Sequence, residues 1–254
     1  MRFCVVFFVL LTGVAINSLY GQKLIDSKAS RETRALYANL DKISQKGFLF
    51  GHQDDLAYGV NWKAINGRSD VKEVSGSYPA LYGWDLGKIG RANNIDAVKF
   101  DSMLYWIQQA YQRGGVNTIS WHLDNPVSNK DSWDKTPAVK DILPGGKAHA
   151  DYVRQLNLLA DFLKRCKDDE GVAIPIIFRP FHEHNGDWFW WGKGFCTEEE
   201  YINLWRFTID HLKNTRKINH LIYAFSPDRS RLDMGDVRNA YLYGYPGDHY
   251  VDIL

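Results

Sequence analysis

One stretch of the sequence places an acid, two histidines and four successive aromatic residues close together. Residues 179–192 read Arg-Pro-Phe-His-Glu-His-Asn-Gly-Asp-Trp-Phe-Trp-Trp-Gly, with Glu183 between His182 and His184. Aromatic surface beside a carboxylic acid disfavours the ionised form, and a glutamate held protonated near neutral pH can act as a general acid. Indole faces also suit the C–H faces of sugar rings. The stretch therefore predicts acid–base chemistry on a carbohydrate, with at least one of the four aromatic residues facing solvent or ligand.

A metal site is the main alternative for the histidines. On a regular strand His182 and His184 would face the same side, and with His122 they would make a three-histidine zinc site. The sequence has no His-Glu-x-x-His pattern, and Pro180 makes the local backbone irregular. We therefore predict a site without metal or cofactor. A purely structural role suits His184 better than His182, and His211 and His220 are also expected to be structural.

Short apolar segments alternate with amphipathic ones along the whole chain. The predicted strands are 48–50, 80–84, 116–121, 174–178, 220–225 and 250–254, and the predicted helices are 30–45, 95–113, 148–167 and 197–217. Strands with few polar residues, separated by helices, indicate a parallel α/β sheet covered on both faces.

An open doubly wound sheet and a closed (β/α)8 barrel both fit this order. A nucleotide-binding open sheet should carry a glycine-rich loop after an early strand, whereas the first predicted strand is followed by Gly-His-Gln-Asp-Asp. Nearly every predicted strand instead ends in a polar side chain, namely His52, Asp85, His122, Glu183 and Asp228. Functional groups collected from many carboxyl strand ends are typical of the barrel, which the sequence therefore favours.

The N-terminus indicates where the protein is located, and the charge balance limits which partners it can bind. A positive start, an apolar run over residues 3–16 and polar residues after it predict a secretory signal peptide over residues 1–21, and so a secreted or periplasmic protein. The net charge of +1 makes nucleic acid and acidic membranes unlikely partners after signal cleavage. Cys166 and Cys196 allow either one disulfide or two free thiols.

The stretch 179–192 resembles the acid/base motif of the family-26 glycoside hydrolases, chiefly endo-β-1,4-mannanases. Four other segments are similar to this family: 50–55 (FGHQDD), 82–87 (YGWDLG), 120–126 (SWHLDNP) and 245–254 (YPGDHYVDIL). The resemblance covers about residues 28–254. It implies a (β/α)8 barrel and a retaining mechanism acting on β-mannan or manno-oligosaccharides.

Individual site residues follow from this resemblance by position. Glu183 resembles the catalytic acid/base, and His182 the neighbour that orders the site. His122 and Trp188 resemble residues that contact the sugar at the cleavage point, while Arg179 and Asp85 are supporting matches that complete the substrate-binding set.

The resemblance also implies a nucleophile glutamate at the end of a seventh strand. The chain has seven glutamates, Glu32, Glu73, Glu170, Glu183, Glu198, Glu199 and Glu200, and only Glu183 lies at a predicted strand end. About six of the eight βα units are recognisable, so residues 22–254 are expected to be a partial, truncated barrel that lacks the nucleophile and is inactive alone. A β-1,3-xylanase, a mixed-linkage β-glucanase and a non-catalytic polysaccharide-binding barrel stay open as alternatives, as does endo versus exo action.

Overall fold

The computed structural model describes residues 23–254, so the predicted signal peptide over residues 1–21 lies outside the described part of the chain. Within residues 23–254, no helix has both the length and the apolar character needed to cross a membrane.

The described residues form seven α-helices and seven strands. The helices are α1 (Arg31–Ser44), α2 (Asp70–Ser75), α3 (Phe100–Gln112), α4 (Val139–Ile142), α5 (His149–Arg165), α6 (Glu198–Asp210) and α7 (Val237–Tyr241), and α6 continues as a π-helical turn over His211–Thr215. The strands are β1 (Gly51–Gln53), β2 (Tyr58–Gly59), β3 (Trp62–Lys63), β4 (Leu81–Asp85), β5 (Val116–Ser120), β6 (Ile176–Arg179) and β7 (Leu221–Tyr223), and a 3-10 turn spans Arg229–Arg231.

Five of the strands form one parallel sheet in the order β1-β4-β5-β6-β7. The remaining two, β2 and β3, make a small antiparallel hairpin. Each pair of neighbouring parallel strands is joined by a segment that contains a helix, which is the connection that parallel pairing requires. The α/β class predicted from the sequence is confirmed. The register places Asp85 beside Ser120 and Ser120 beside Arg179, so the carboxyl ends of β4, β5 and β6 meet at one edge.

Several predicted boundaries are wrong at their ends. The first strand begins at Gly51 rather than at residue 48, and Phe48 and Phe50 are exposed. Residues 95–99 do not start the long helix, because Asn94 caps a loop by accepting from the backbone N–H groups of Asp96 and Val98. The sixth predicted strand is reduced to one parallel bridge between Ala224 and Ile253.

The larger of two hydrophobic clusters is rich in aromatic residues. Trp84, Trp121, Trp190, Trp191 and Trp205 are all fully buried.

The predicted capping box of α6 is present, with Thr197 accepting from the Glu200 backbone N–H and Glu200 accepting from the Thr197 N–H. Cys166 and Cys196 are both free thiols, and burial raises the pKa of the Cys196 thiol to about 12.

Candidate functional site

A buried aspartate, Asp85, pairs with the partly buried His122 at the ends of β4 and β5. Asp85 Oδ2 accepts from His122 Nδ1 at 2.7 Å and from the Ser120 hydroxyl at 2.8 Å, and Oδ1 accepts from the Gly87 backbone N–H at 2.7 Å. Burial alone would raise the pKa of Asp85, but the hydrogen bonds and the charge of His122 outweigh it and hold the pKa below its ordinary value. An ionised carboxylate only accepts hydrogen bonds, so His122 carries a proton on Nδ1.

His182 extends this pair towards β6. Its Nε2 lies 3.3 Å from Nε2 of His122, and the two rings meet edge to face with centroids 4.6 Å apart. Burial, together with the nearby charge of Arg179, lowers the pKa of His182 to about 3. His182 is therefore neutral at physiological pH, and its Nε2 lies within hydrogen-bonding distance of His122 Nε2.

His184 belongs to a different environment. Its Nε2 lies 2.6 Å from the Tyr243 carbonyl oxygen, and its ring stacks on Tyr201 with centroids 4.2 Å apart. Burial lowers its pKa to about 4. His182 and His184 do not share a face as they would on a regular strand, because Phe181 and Glu183 both adopt positive φ and break the alternation.

The two strained residues turn the chain so that Glu183 projects from the end of β6. Phe181 has φ 47° and Glu183 has φ 58°, in the left-handed region that non-glycine residues rarely occupy. Ser226, just after β7, fastens this turn because its carbonyl oxygen accepts from the Glu183 N–H at 2.7 Å and its hydroxyl accepts from Arg179 Nε at 3.0 Å. Strain that neighbouring contacts fix in place is typical of functional sites.

Of the four successive aromatic residues, three are buried and one is partly exposed, in line with the expectation that at least one faces solvent or ligand. Phe189, Trp190 and Trp191 are buried, and the last two donate their indole N–H groups to the carbonyl oxygens of Leu123 and His182. Trp188 alone is only partly buried, and its indole N–H donates to Glu183 Oε2 at 2.9 Å.

Arg179 lies near both carboxylates of the site. Burial lowers the pKa of its guanidinium, and the charges of Glu183 and Asp85 oppose that shift. The guanidinium stays charged near neutral pH even with this lowered pKa, so Arg179 supplies a fixed positive charge near the two acids. The structure thus brings together all six predicted site residues, Asp85, His122, Arg179, His182, Glu183 and Trp188.

Trp133 joins the site without having been predicted from the sequence. Its ring stacks on His122 with centroids 5.2 Å apart and planes 15° apart, yet 48% of the residue is exposed. A lone tryptophan in the polar segment 128–135 was the available signal, because an aromatic side chain there has little local core to join. Trp133 adds an open aromatic face beside His122.

The described residues contain no group of three or more histidine, cysteine, aspartate or glutamate side chains arranged to hold a metal ion. His184 explains why the histidines do not converge, since its imidazole is bonded to Tyr243 and stacked on Tyr201, away from His122 and His182.

The five-stranded parallel sheet, with helical connections and polar residues at its carboxyl strand ends, matches part of a (β/α)8 barrel. A sequence profile of glycosyl hydrolase family 26 matches residues 25–254, and the chain belongs to that family.

Known mannanases are similar to the chain in sequence and structure. A GH26 β-mannanase from Bacteroides ovatus superposes with a TM-score of 0.84 at 44% identity, covering 88% of this chain and 65% of that one. An endo-β-1,4-mannanase from Cellulomonas fimi gives 0.84 at 35% identity, with 92% and 53% covered. A mannan endo-1,4-β-mannosidase from Bifidobacterium adolescentis is 37% identical over 235 residues, which are 90% of this chain and 23% of that protein. The chain therefore spans less than two thirds of the length of these relatives.

Proposed function

We propose that the protein is a retaining glycosidase that cleaves β-1,4-mannosidic bonds, with Glu183 as the general acid and base. The observation that carries this proposal is the setting of Glu183, which projects from a strained strand end and accepts a hydrogen bond from the half-buried Trp188. Similarity to mannan-cleaving relatives supports β-mannan or manno-oligosaccharides as the substrate.

In this proposal the reactive proton is carried by one oxygen of Glu183. Oε2 accepts from the Trp188 indole, which leaves Oε1 to carry the proton that is given to the departing glycosidic oxygen. The same oxygen then takes a proton from the water that releases the sugar from the enzyme. Trp188 thus keeps the acid in one orientation through both steps.

The histidine pair and the aromatic faces provide the sugar-binding wall in this proposal. Asp85 fixes the ring of His122 through Nδ1, and His122 Nε2 in turn contacts His182 Nε2, so both imidazoles are held in defined orientations. Trp133 and Trp188 offer partly exposed rings on which sugar C–H faces can stack. Arg179 places a positive charge beside Glu183.

A retaining mechanism requires a second carboxyl group about 5–5.5 Å from the first. Within residues 23–254, the other glutamates lie in α1, α2, the loop before β6 and the first turn of α6. The aspartates that end or follow strands are already engaged. Asp85 is held by His122, and Asp228 by the backbone N–H of Ser230. Asp54 and Asp55, just after β1, accept from the hydroxyl groups of Tyr58 and Ser69. We therefore infer that a further segment supplies the nucleophile and that residues 22–254 alone do not complete the reaction.

Two polypeptides test this proposal, namely residues 22–254 and a longer polypeptide in which the same residues are joined to the rest of a barrel. We expect the longer polypeptide to hydrolyse β-1,4-mannan in preference to β-1,3-xylan and mixed-linkage β-glucan, and residues 22–254 to show no turnover. Glu183→Gln should reduce mannan hydrolysis roughly 10²- to 10⁴-fold.

A matched control is available on α6. Glu199 is exposed in the first turn of α6, so Glu199→Gln should leave hydrolysis unchanged. Preference for xylan or glucan would overturn the substrate assignment. Polysaccharide binding with no hydrolysis by the longer polypeptide would show a non-catalytic barrel, and Glu183-dependent turnover by residues 22–254 would refute the inferred missing nucleophile.

We also propose that residues 1–21 direct export, and that the mature protein is secreted or periplasmic and begins at Gln22. N-terminal sequencing of protein collected outside the cytoplasm should give Gln22 as the first residue. Retention of Met1 in the exported protein would contradict this cleavage.

A further inference from the structure

Arg231 covers the tryptophan that contacts Glu183. The guanidinium carbon lies 5.1 Å from the centroid of the Trp188 ring, and an Arg231 Nη2 nitrogen donates to Asp187 Oδ1 at 3.0 Å. Arg231 ends the short 3-10 turn after β7, whereas Asp187 and Trp188 follow β6. The contact therefore joins the segments that leave two neighbouring strands.

The indole of Trp188 is also confined by Gly186. A Cβ atom on Gly186 would overlap three atoms of the six-membered ring of Trp188, so the ring lies directly against the glycine backbone. Because Gly186 and Arg231 both contact the ring, few rotamers remain open to Trp188. Its indole N–H is consequently aimed at Glu183 Oε2.

We propose that Arg231 is a positioning residue that holds Trp188 in the rotamer that donates a hydrogen bond to Glu183. This inference rests on the proposed function only for its catalytic consequence. The path runs from Asp187 through Arg231 to the Trp188 ring, and from the Trp188 N–H to the carboxyl group of Glu183.

A surface ion pair with no further effect is the competing explanation. Asp187 and Arg231 are both well exposed, and an exposed pair of this kind contributes little to stability. The two explanations differ in what happens at Trp188, since a simple surface pair can be removed without any change at the indole N–H.

The experiment measures the exchange with water of the Trp188 indole proton in protein labelled with ¹⁵N-tryptophan, with the signal assigned from Trp188→Phe. We expect Arg231→Ala to raise the exchange rate roughly fivefold, because the cation over the ring is lost. The exchange rate in Arg231→Lys should lie between those of the unsubstituted protein and Arg231→Ala, since lysine keeps a cation. Asp187→Asn should raise the exchange rate less than Arg231→Ala does. The buried indoles of Trp190 and Trp191 report whether each variant is folded.

Arg229 provides the matched control in the same turn. It is exposed, and its side chain makes no hydrogen bond, ion pair or ring contact in the described structure, so Arg229→Ala should leave the Trp188 signal unchanged. An unchanged exchange rate in folded Arg231→Ala would overturn the proposal.

Kinetics separate this inference from the proposed function. In a longer polypeptide that hydrolyses mannan, Arg231→Ala should lower kcat with little change in KM and should move the limb of the pH profile set by the acid, with partial rescue by Arg231→Lys. If no polypeptide hydrolyses mannan, the proposed function fails, yet the exchange experiment still decides whether Arg231 positions Trp188. Altered exchange with unaltered kcat would confine Arg231 to a structural role.

Discussion

The two sides of Glu183 are held in place by different means. On one side, Asp85, His122 and His182 are linked by hydrogen bonds that begin at the ends of parallel strands, and Asp85 and His182 are buried. On the other side, Trp188 is partly exposed and is held by a glycine contact and an arginine from a surface turn.

This difference separates two tasks. The buried side fixes protonation states, because low exposure makes each proton position costly to change. The exposed side fixes the orientation of one carboxyl group while leaving an aromatic face open. Changes on the buried side should therefore have larger effects than changes on the exposed side.

Asp85→Asn tests the buried side most severely. An amide cannot reproduce the carboxylate that holds the Nδ1–H of His122, so the imidazole loses its fixed tautomer and orientation. We expect mannan hydrolysis by the active polypeptide to fall roughly 10²-fold. The control Asp101→Asn removes a carboxylate from an exposed pair with Arg165 and should change little. Equal losses of hydrolysis in Asp85→Asn and Asp101→Asn would contradict the larger role assigned to the buried side of the site.

The buried histidines also predict a loss of stability in acid. Burial lowers the pKa of His182 to about 3 and of His184 to about 4, whereas an unfolded histidine titrates near 6.5. Below pH 6.5 the unfolded chain binds protons that the folded chain does not, so the free energy of unfolding falls as the pH drops towards 4.

Each such histidine contributes a slope of up to about 1.4 kcal/mol per pH unit in this window. Urea unfolding of His184→Asn between pH 7 and pH 5 should therefore show a weaker pH dependence than the unsubstituted protein, by about 2 kcal/mol over that range. Identical slopes would show that His184 is not held neutral. The comparison concerns slopes, so the stability that the variant loses with the Tyr243 hydrogen bond does not affect it.

On the exposed side, Gly186→Ala should displace the Trp188 ring without altering any charged group. The added Cβ overlaps the indole, so the hydrogen bond to Glu183 must lengthen or break. We expect kcat on mannan to fall about tenfold, the loss from one hydrogen bond to a charged group. The control is Gly47→Ala, because a Cβ atom at Gly47 would meet open space. Gly194→Ala is unsuitable because Gly194 has a positive φ, which would strain an alanine. Unchanged kcat in Gly186→Ala would show that the Trp188 hydrogen bond does not support Glu183 in catalysis.

Trp133→Ala should have the smallest effect. The ring is half exposed and stacks on His122, so its loss removes one aromatic face but leaves the Asp85–His122 bond in place. We expect KM for manno-oligosaccharides to rise about fivefold with little change in kcat, consistent with one lost stacking contact. A large loss of kcat would indicate that Trp133 also orients His122.

The sequence predicted the buried side better than the exposed side. Asp85, His122 and Glu183 each follow an apolar strand, and parallel pairing brings such positions to one edge without knowledge of any side-chain contact. Their grouping could therefore be predicted from the alternation of elements. The opposite directions of His182 and His184 could not, because they depend on the positive φ angles of Phe181 and Glu183.

Residues that approach the site from loops could not be predicted at all. Trp133 reaches His122 and Arg231 reaches Trp188 only through the folded paths of segments with no regular periodicity. The first strand was misplaced for a related reason, since Phe48 and Phe50 look like core residues in sequence but are exposed in the described structure. Hydrophobicity alone does not show which residues a sheet edge leaves uncovered.

The central claim, that Glu183 is the proton donor, is tested most directly by the leaving-group dependence of Glu183→Gln in the active polypeptide. Two β-mannosides with the same glycone are compared by pre-steady-state kinetics, one releasing a sugar and the other releasing 2,4-dinitrophenolate, which departs without protonation. We predict that formation of the glycosyl-enzyme falls roughly 10³-fold for the sugar leaving group and less than about tenfold for dinitrophenolate. An equal loss for both substrates would contradict the assignment of Glu183 as the acid.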